Sequence, residues 1–300
     1  MAWTEKAIGA AKVPFRIAVI SDEITQDFGR ACEIASQQFG MKWIELRSMW
    51  NKNVLNLDAH EVAEAQRILE KNDLRVTDIA SPLFKVDWPG APKSRFSPQG
   101  EQFGAQFSFD QQGELLEHSI ELAKAFKTDR VRCFDFWRLD DPHPHRGTIN
   151  DKLSEAAAKA GNNGIVLVLE NEPACNTATG AEAARVLDAV RSAHLMLNWD
   201  PGNAAALGER PYPDGYNLLP KARIGHCHCK DVVRRPEGYG WAAMGQGTID
   251  WVGQFAALRR DGYHYAVSLE THWRGAGTPE ASTMKSWAGM KEQLHKAGAL

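Results

Sequence analysis

Eight short runs rich in β-branched and other apolar residues alternate with longer amphipathic stretches along this 300-residue chain. Parallel strands cannot be joined by a tight turn and need a crossover, usually a helix, so this alternation points to parallel βα units. The runs fall at residues 15–20, 42–47, 75–80, 130–134, 165–169, 195–199, 223–228 and 265–269. Eight such units predict an α/β fold, the (β/α)8 TIM barrel, as a single domain over residues 1–300 with the barrel at about 15–297. Between the strands, residues 28–39 are apolar at Phe28, Ala31, Ala35 and Phe39, with Gly40 as a stop signal. Asp58 and Glu61 form a capping-box pattern ahead of Val62, Ala65, Ile68 and Leu69. Residues 115–126 and 249–258 are similarly periodic, and Met284, Trp287 and Leu294 mark a closing helix. The segment 201–219 reads as irregular, which predicts a short sixth helix.

Two connections, 81–108 and 135–148, are long and rich in Pro, Gly, Asp and Trp. Both follow strands, so they belong to the C-terminal mouth of a barrel, where active sites are built.

Four residues share one position type, the C-terminal end of a strand: Glu170, Asp200, His228 and Glu270. Their separations of 30, 28 and 42 residues correspond to about one βα unit each. Strand alternation sets Val166, Val168 and Glu170 on one face, Met196 and Asn198 with Asp200, and Ala266 and Ser268 with Glu270. The bulkier partners on the other face would cover the helical side. Buried carboxylates are costly unless neutralised, and three of them with one imidazole suit one divalent ion. Mn²⁺ is the first expectation, with Mg²⁺, Co²⁺ or Zn²⁺ as alternatives. In the run from Gly225 to Asp231, His226 and His228 point one way while Cys227 and Cys229 point the other, so the four cannot form a zinc knuckle. His228 is the better ligand, and His226 lies a layer deeper as a supporting or substrate-binding group.

Charge and composition exclude other classes. A net charge of −3 argues against a nucleic-acid partner. No apolar run approaches the ~20 residues of a membrane span. Residues 1–12 lack the apolar core of a signal peptide, which leaves a cytoplasmic location by default. Five scattered cysteines suit reduced core thiols better than a disulfide framework.

With these residues assembled, the chain resembles the sugar phosphate isomerase/epimerase superfamily, the xylose isomerase-like TIM barrels. The resemblance rests on strand-ending Glu170, the Asp200-Pro-Gly-Asn203 turn, the His228-Cys-Lys-Asp231 segment, the Gly245-Gln-Gly-Thr-Ile-Asp-Trp251 helix entry and Glu270. It implies that Glu170, Asp200, His228 and Glu270 hold a metal, and that Glu170 and Glu270 carry protons on and off the substrate. The implied reaction is sugar isomerisation or epimerisation by proton abstraction next to a carbonyl, through a metal-stabilised enediolate. Two positions depart from the family's epimerases, in which histidines stand where this chain has Asn203 and Glu172.

These departures keep a second enzymatic reading open: a keto-sugar dehydratase or hydratase, or a 3-keto-glycoside lyase cleaving C- or O-glycosides. Such a reaction needs a further acid or base, and His143 or His145 in the second long loop is the candidate. A non-catalytic carbohydrate-binding subunit is the reading from another class. A barrel endonuclease for abasic DNA would need more histidines and a basic groove. The expected partner is a small sugar or keto-sugar, with a homo-oligomer or a partner subunit as open assembly states.

The substrate-binding candidates are Arg47, Lys85, Arg132, Asn203, His226 and Arg234. Arg47 could hold a substrate oxygen or pair with Glu45, and Arg132 reads the same way. Lys85 either reaches substrate or is an exposed surface lysine. Lys230, Asp231 and Arg234 follow the metal histidine and could bind sugar hydroxyls. Trp50, Trp88, Trp137 and Trp273 could stack on a sugar ring or simply pack their loops.

Overall fold

The computed structural model describes residues 13–97 and 106–300. The segment 1–12, read above for a signal peptide, and the stretch 98–105 within the first long loop lie outside the described residues.

The eight strands are β1 (Arg16–Val19), β2 (Trp43–Leu46), β3 (Arg75–Leu83), β4 (Arg130–Cys133), β5 (Val166–Glu170), β6 (Leu195–Trp199), β7 (Ile224–Cys229) and β8 (Ala266–Leu269). Each of β2 to β8 in the sheet pairs in parallel with its next neighbour in sequence order, β8 pairs with β1, and a parallel bridge between Ile20 and Glu45 brings β1 to β2. The barrel is thereby nearly closed, with helices between the strands.

The core shows why alternation works as a guide. Leu167, Leu169, Leu195, Leu197, Trp199, Cys227, Cys229, Val267 and Leu269 all join the large apolar cluster between sheet and helices. Val168, Met196 and Ala266 are just as buried but stand apart from that cluster. They line the barrel interior, on the faces that lead to the four strand-end residues. The same parity sends Cys227 and Cys229 into the shell as free thiols.

Helix starts carry their own signals. Asp58 and Glu61 form a complete capping box at Ala59–Lys71, and Thr179 with Glu182 forms a second at Gly180–Ala189. The first long helix runs from Phe28 to Glu33 and continues as a π-helical turn over Ile34–Gln38. The sixth helix is short, Pro201–Ala206.

Several boundaries differ from expectation. β3 runs on to Leu83, so the first mouth loop starts later. The second mouth loop ends early, in a 3-10 turn at His143–His145 followed by the helix Arg146–Gly161. The helix expected over 249–258 begins at Trp251 rather than Ile249, because Asp250 caps it by accepting from Gly253 N. Met284 lies in the closing helix, Pro279–Lys296, but faces solvent.

Two irregularities aim polar side chains inward. Between β6 and β7 the register shifts so that Ile224 and His226 face consecutive residues of β6, with Gly225 as the extra residue. A Cβ at Gly225 would stand 2.8 Å from Met196 Cβ and 3.2 Å from Val168 Cγ1, so glycine is required for this close approach. A second shift, in the pairing of β2 with β3, lies beside Thr77 and Asp78, and Asp78 is fully buried.

Candidate metal centre

The strand ends deliver four groups to the mouth. Glu170 closes β5, His228 is in β7, and Glu270 follows β8. Asp200 follows β6 and caps the short helix, its Oδ1 accepting from Asn203 N at 2.8 Å. All four are buried, and one ligand atom from each lies within 4.8 Å of the others. His228 Nδ1 stands 3.2 Å from Glu170 Oε1, 3.3 Å from Glu270 Oε2 and 3.7 Å from Asp200 Oδ2. Those edges match donors placed ~2.0–2.2 Å from a shared ion. Asp200 Oδ2 is buried and accepts no hydrogen bond, although Lys230 Nζ is 2.8 Å away. Three carboxylates, one imidazole and that unsatisfied oxygen fit a divalent cation.

A second layer orients the first. His228 Nε2 is 2.9 Å from Glu45 Oε1, so Glu45 holds the ring with Nδ1 turned toward the carboxylates. Below it, His226 is fully buried, 3.2 Å from Asn198 Oδ1 through Nδ1 and 3.3 Å from Asp78 Oδ1 through Nε2. Arg132 donates to Glu170 Oε2 at 3.0 Å and to the carbonyls of Ser81 and Ala80. Asn203 Nδ2 donates to Glu170 Oε1 at 3.2 Å and to Asn171 O at 2.9 Å. Arg47 donates to Glu270 Oε1 at 2.8 Å and also to Asp22 and Glu23. His272 lies between Glu23 Oε1 at 3.0 Å and Glu270 Oε1 at 3.3 Å.

The electrostatics follow from this packing. Burial alone would raise the carboxyl of Glu170, but His228 and Arg132 outweigh it and hold the group well below the usual range. Glu270 is likewise lowered, against burial, by Lys230, His272 and His228. Burial wins at Asp200, whose carboxyl is raised despite Lys230 and His228. His228 is the converse case: burial would lower it, but Glu45, Glu170 and Glu270 raise it well above an ordinary imidazole.

Other expectations need correction. Arg47 does not pair with Glu45; it lies one residue beyond β2 and extends toward the mouth acids, while Glu45 sits deeper among the imidazoles. Lys85 is not an exposed surface lysine: its side chain is one-quarter exposed, 3.1 Å from Glu172 Oε2 and 4.5 Å above the Phe134 ring. Arg234 is exposed on the hairpin formed by Asp231–Arg235 and Gly238–Ala242. His143 is exposed and His145 half-buried; among the described residues, no hydrogen bond or ion pair joins Arg234 or either imidazole to the four. Trp50 packs on Phe28, and Trp88 on Phe109 and Phe136. Trp137 is buried with Phe134 and Cys175, and Trp273 lies beside Lys285.

Alternation missed Glu23, Asp78, Asn198 and His272 as neighbours of the centre. Asn198 shares the face of Asp200 and was within reach of parity; Glu23 comes from a one-turn helix, Ser21–Ile24, and His272 from the irregular segment after β8, neither long enough to show a periodicity. Trp241, on the hairpin, was also missed: its ring is 5.1 Å from Lys230 Nζ and 5.3 Å from the His272 ring. The Gly245-Gln-Gly247 motif is structural, since Asp231 Oδ2 accepts from both glycine amides at 3.0 Å.

Comparison with solved structures finds the same barrel. The probable 3-DHS dehydratase AsbF of Bacillus anthracis, involved in petrobactin synthesis, matches with a TM-score of 0.70 at 18% identity, over 92% of this chain and 98% of that one. The IolI protein, solved with a zinc atom, matches at 0.70 and 15% identity, over 95% and 98%. A D-psicose 3-epimerase solved in the presence of D-fructose matches at 0.67 and 16% identity, over 95% and 100%. No curated protein matches the sequence. The family model described as the xylose isomerase-like TIM barrel matches residues 34–293. That span takes in seven of the eight strands and all four strand-end residues, and the chain belongs to the xylose isomerase-like TIM barrel family.

Proposed function

We propose that this chain is a divalent-metal-dependent sugar isomerase or epimerase that moves a proton at the carbon next to a carbonyl. One observation carries the reading: the ligand atoms of Glu170, Asp200, His228 and Glu270 converge, buried, at the barrel mouth. These four would hold the ion, with Mn²⁺ the first choice. When bound, it supplies Lewis-acid polarisation of the substrate oxygens. Glu170 and Glu270 are the proton carriers, one taking the proton and the other returning it. Against the burial that would raise them, His228 and Arg132 hold Glu170 ionised, and Lys230 and His272 hold Glu270 ionised, in the metal-free protein, so the carboxylate that returns a proton must first gain one from solvent or a substrate hydroxyl. Arg47 and His272 fix Glu270 Oε1, and Arg132 and Asn203 fix Glu170, so neither carboxylate swings freely. Both glutamates are only 2% exposed.

The test is a panel of ketoses and aldoses incubated with Mn²⁺ in deuterated water, followed by chromatography and mass spectrometry. New stereoisomers carrying one solvent deuteron support the reading. Glu270→Gln should lower the rate by about 10²–10⁴-fold. Stereoisomers that form equally fast after chelation would overturn it, and products lost by elimination would favour the second reading. That second reading, a dehydratase or lyase on a keto-sugar or 3-keto-glycoside, draws support from the Lys85–Glu172 pair at the mouth. It would supply an extra acid and base for a leaving group. A panel in which sugars bind and none reacts would favour the carbohydrate-binding subunit.

A further inference from the structure

We propose that Lys230 is a resident counter-cation that occupies the metal's place electrostatically and sets how tightly the metal is held. The inference rests on the metal-centre reading above.

Lys230, one residue past β7, continues the inward face of His226 and His228, four and two residues before it. It is 2% exposed. Its Nζ lies 2.5 Å from Glu270 Oε2 and 2.8 Å from Asp200 Oδ2. Those are the same two oxygens that face His228 Nδ1, at 3.3 and 3.7 Å. The ammonium therefore neutralises the oxygens that a metal would claim. It hydrogen-bonds Glu270 but leaves Asp200 Oδ2 without a hydrogen bond. A metal ion could be shared by both oxygens.

The position is built, not incidental. Gly202, in the Asp200-Pro-Gly-Asn203 turn, has no side chain, and a Cβ there would stand 2.5 Å from Lys230 Cγ. The turn thus leaves a channel for the lysine stem beside the carboxylate it carries. On its other side, the ammonium lies 5.1 Å from the Trp241 ring, a π face that offers a second seat when a metal takes the oxygens.

Two like charges near one carboxylate pair repel. Removing the lysine charge should therefore tighten metal binding and weaken the metal-free protein, a pairing that ordinary loss of packing does not produce.

The experiment measures Mn²⁺ affinity by calorimetry and the melting temperature with and without Mn²⁺, for the wild-type chain, Lys230→Met and Lys230→Gln. Lys230→Met is expected to bind Mn²⁺ at least about tenfold more tightly and to melt lower without metal. If Lys230→Met folds only with Mn²⁺ present, that also supports the proposal. Should it fail to fold under either condition, Lys230→Gln, which keeps a donor without the charge, decides by the same affinity criterion. Equal or weaker Mn²⁺ binding in a folded variant overturns the role of Lys230. A wild-type chain that binds no Mn²⁺ instead overturns the metal centre itself, so the two failures are distinguishable.

Discussion

His228 is the residue on which the centre turns, because its two ring nitrogens face different partners. Nε2 meets Glu45, and Nδ1 meets the three carboxylates. Glu45→Gln keeps the shape but weakens the grip on the ring, so Mn²⁺ affinity should fall by about 10–100-fold, measured by calorimetry. The pH dependence follows from signs. Glu45 is lowered to about 2, because His228 and His226 outweigh the burial that would raise it. A carboxylate depressed on folding stabilises above its unfolded pKa and loses that contribution as pH falls through the folded value. The metal-free protein should therefore lose stability from about pH 4.5 down to pH 2, followed by thermal melts. His228 runs the other way: raised on folding, it stabilises the metal-free state at low pH and loses that contribution as pH climbs through its elevated value. Because a metal ligand must be deprotonated, Mn²⁺ affinity should increase with pH, with proton release measurable in buffers of different ionisation enthalpy. Affinity that is flat between pH 6 and 9 would contradict this assignment.

At the scale of the element, β7 does the most work. Its extra residue, Gly225, changes the register against β6 and leaves His226 and His228 directed inward with Lys230. Gly225→Ala would press on Met196 and Val168. It should cost about 1–3 kcal/mol of stability and, by shifting the imidazoles, lower metal affinity as well. Denaturant unfolding and calorimetry on the same variant check both. The bulge also marks where sequence reading stops. Alternation finds β5 and β6 to within a residue, because Leu167, Leu169, Leu195, Leu197 and Trp199 all fall on the helical face. It finds Glu170, Asp200, His228 and Glu270 because strand ends are visible as ends of apolar runs. It does not find Asp78, which sits beside the register shift between β2 and β3. It left Arg47 between a substrate oxygen and a pair with Glu45, since two residues on one face of a strand look like partners; the reach of a long side chain past the strand end to Glu270 is not encoded in parity.

For the whole molecule, the barrel's contribution is convergence. Residues as distant in sequence as Glu23 and Glu270 are bridged by one imidazole, His272, because β1 and β8 are neighbours once the sheet closes. Several residues at the mouth are also held out of the common backbone conformations. Trp50, Phe84, Phe136 and His272 all follow barrel strands with φ of 53°, 63°, 70° and 45°. Non-glycine residues held there cost energy and gather at functional surfaces. The order of the fold was legible because eight alternating units admit few other arrangements. The direction of the mouth loops was not: His143 and His145 lie in a loop rich in turn residues, and composition does not say which way such a loop faces. Among the described residues, no helix is long and apolar enough to cross a membrane.

The central claim is that one ion is shared by four strand ends, and anomalous scattering at the manganese edge from crystals grown with Mn²⁺ tests it directly. The account predicts a single strong peak within about 2.0–2.3 Å of oxygens from Glu170, Asp200 and Glu270 and of His228 Nδ1. No peak at full Mn²⁺ load, or a peak that omits any of the four, would contradict it.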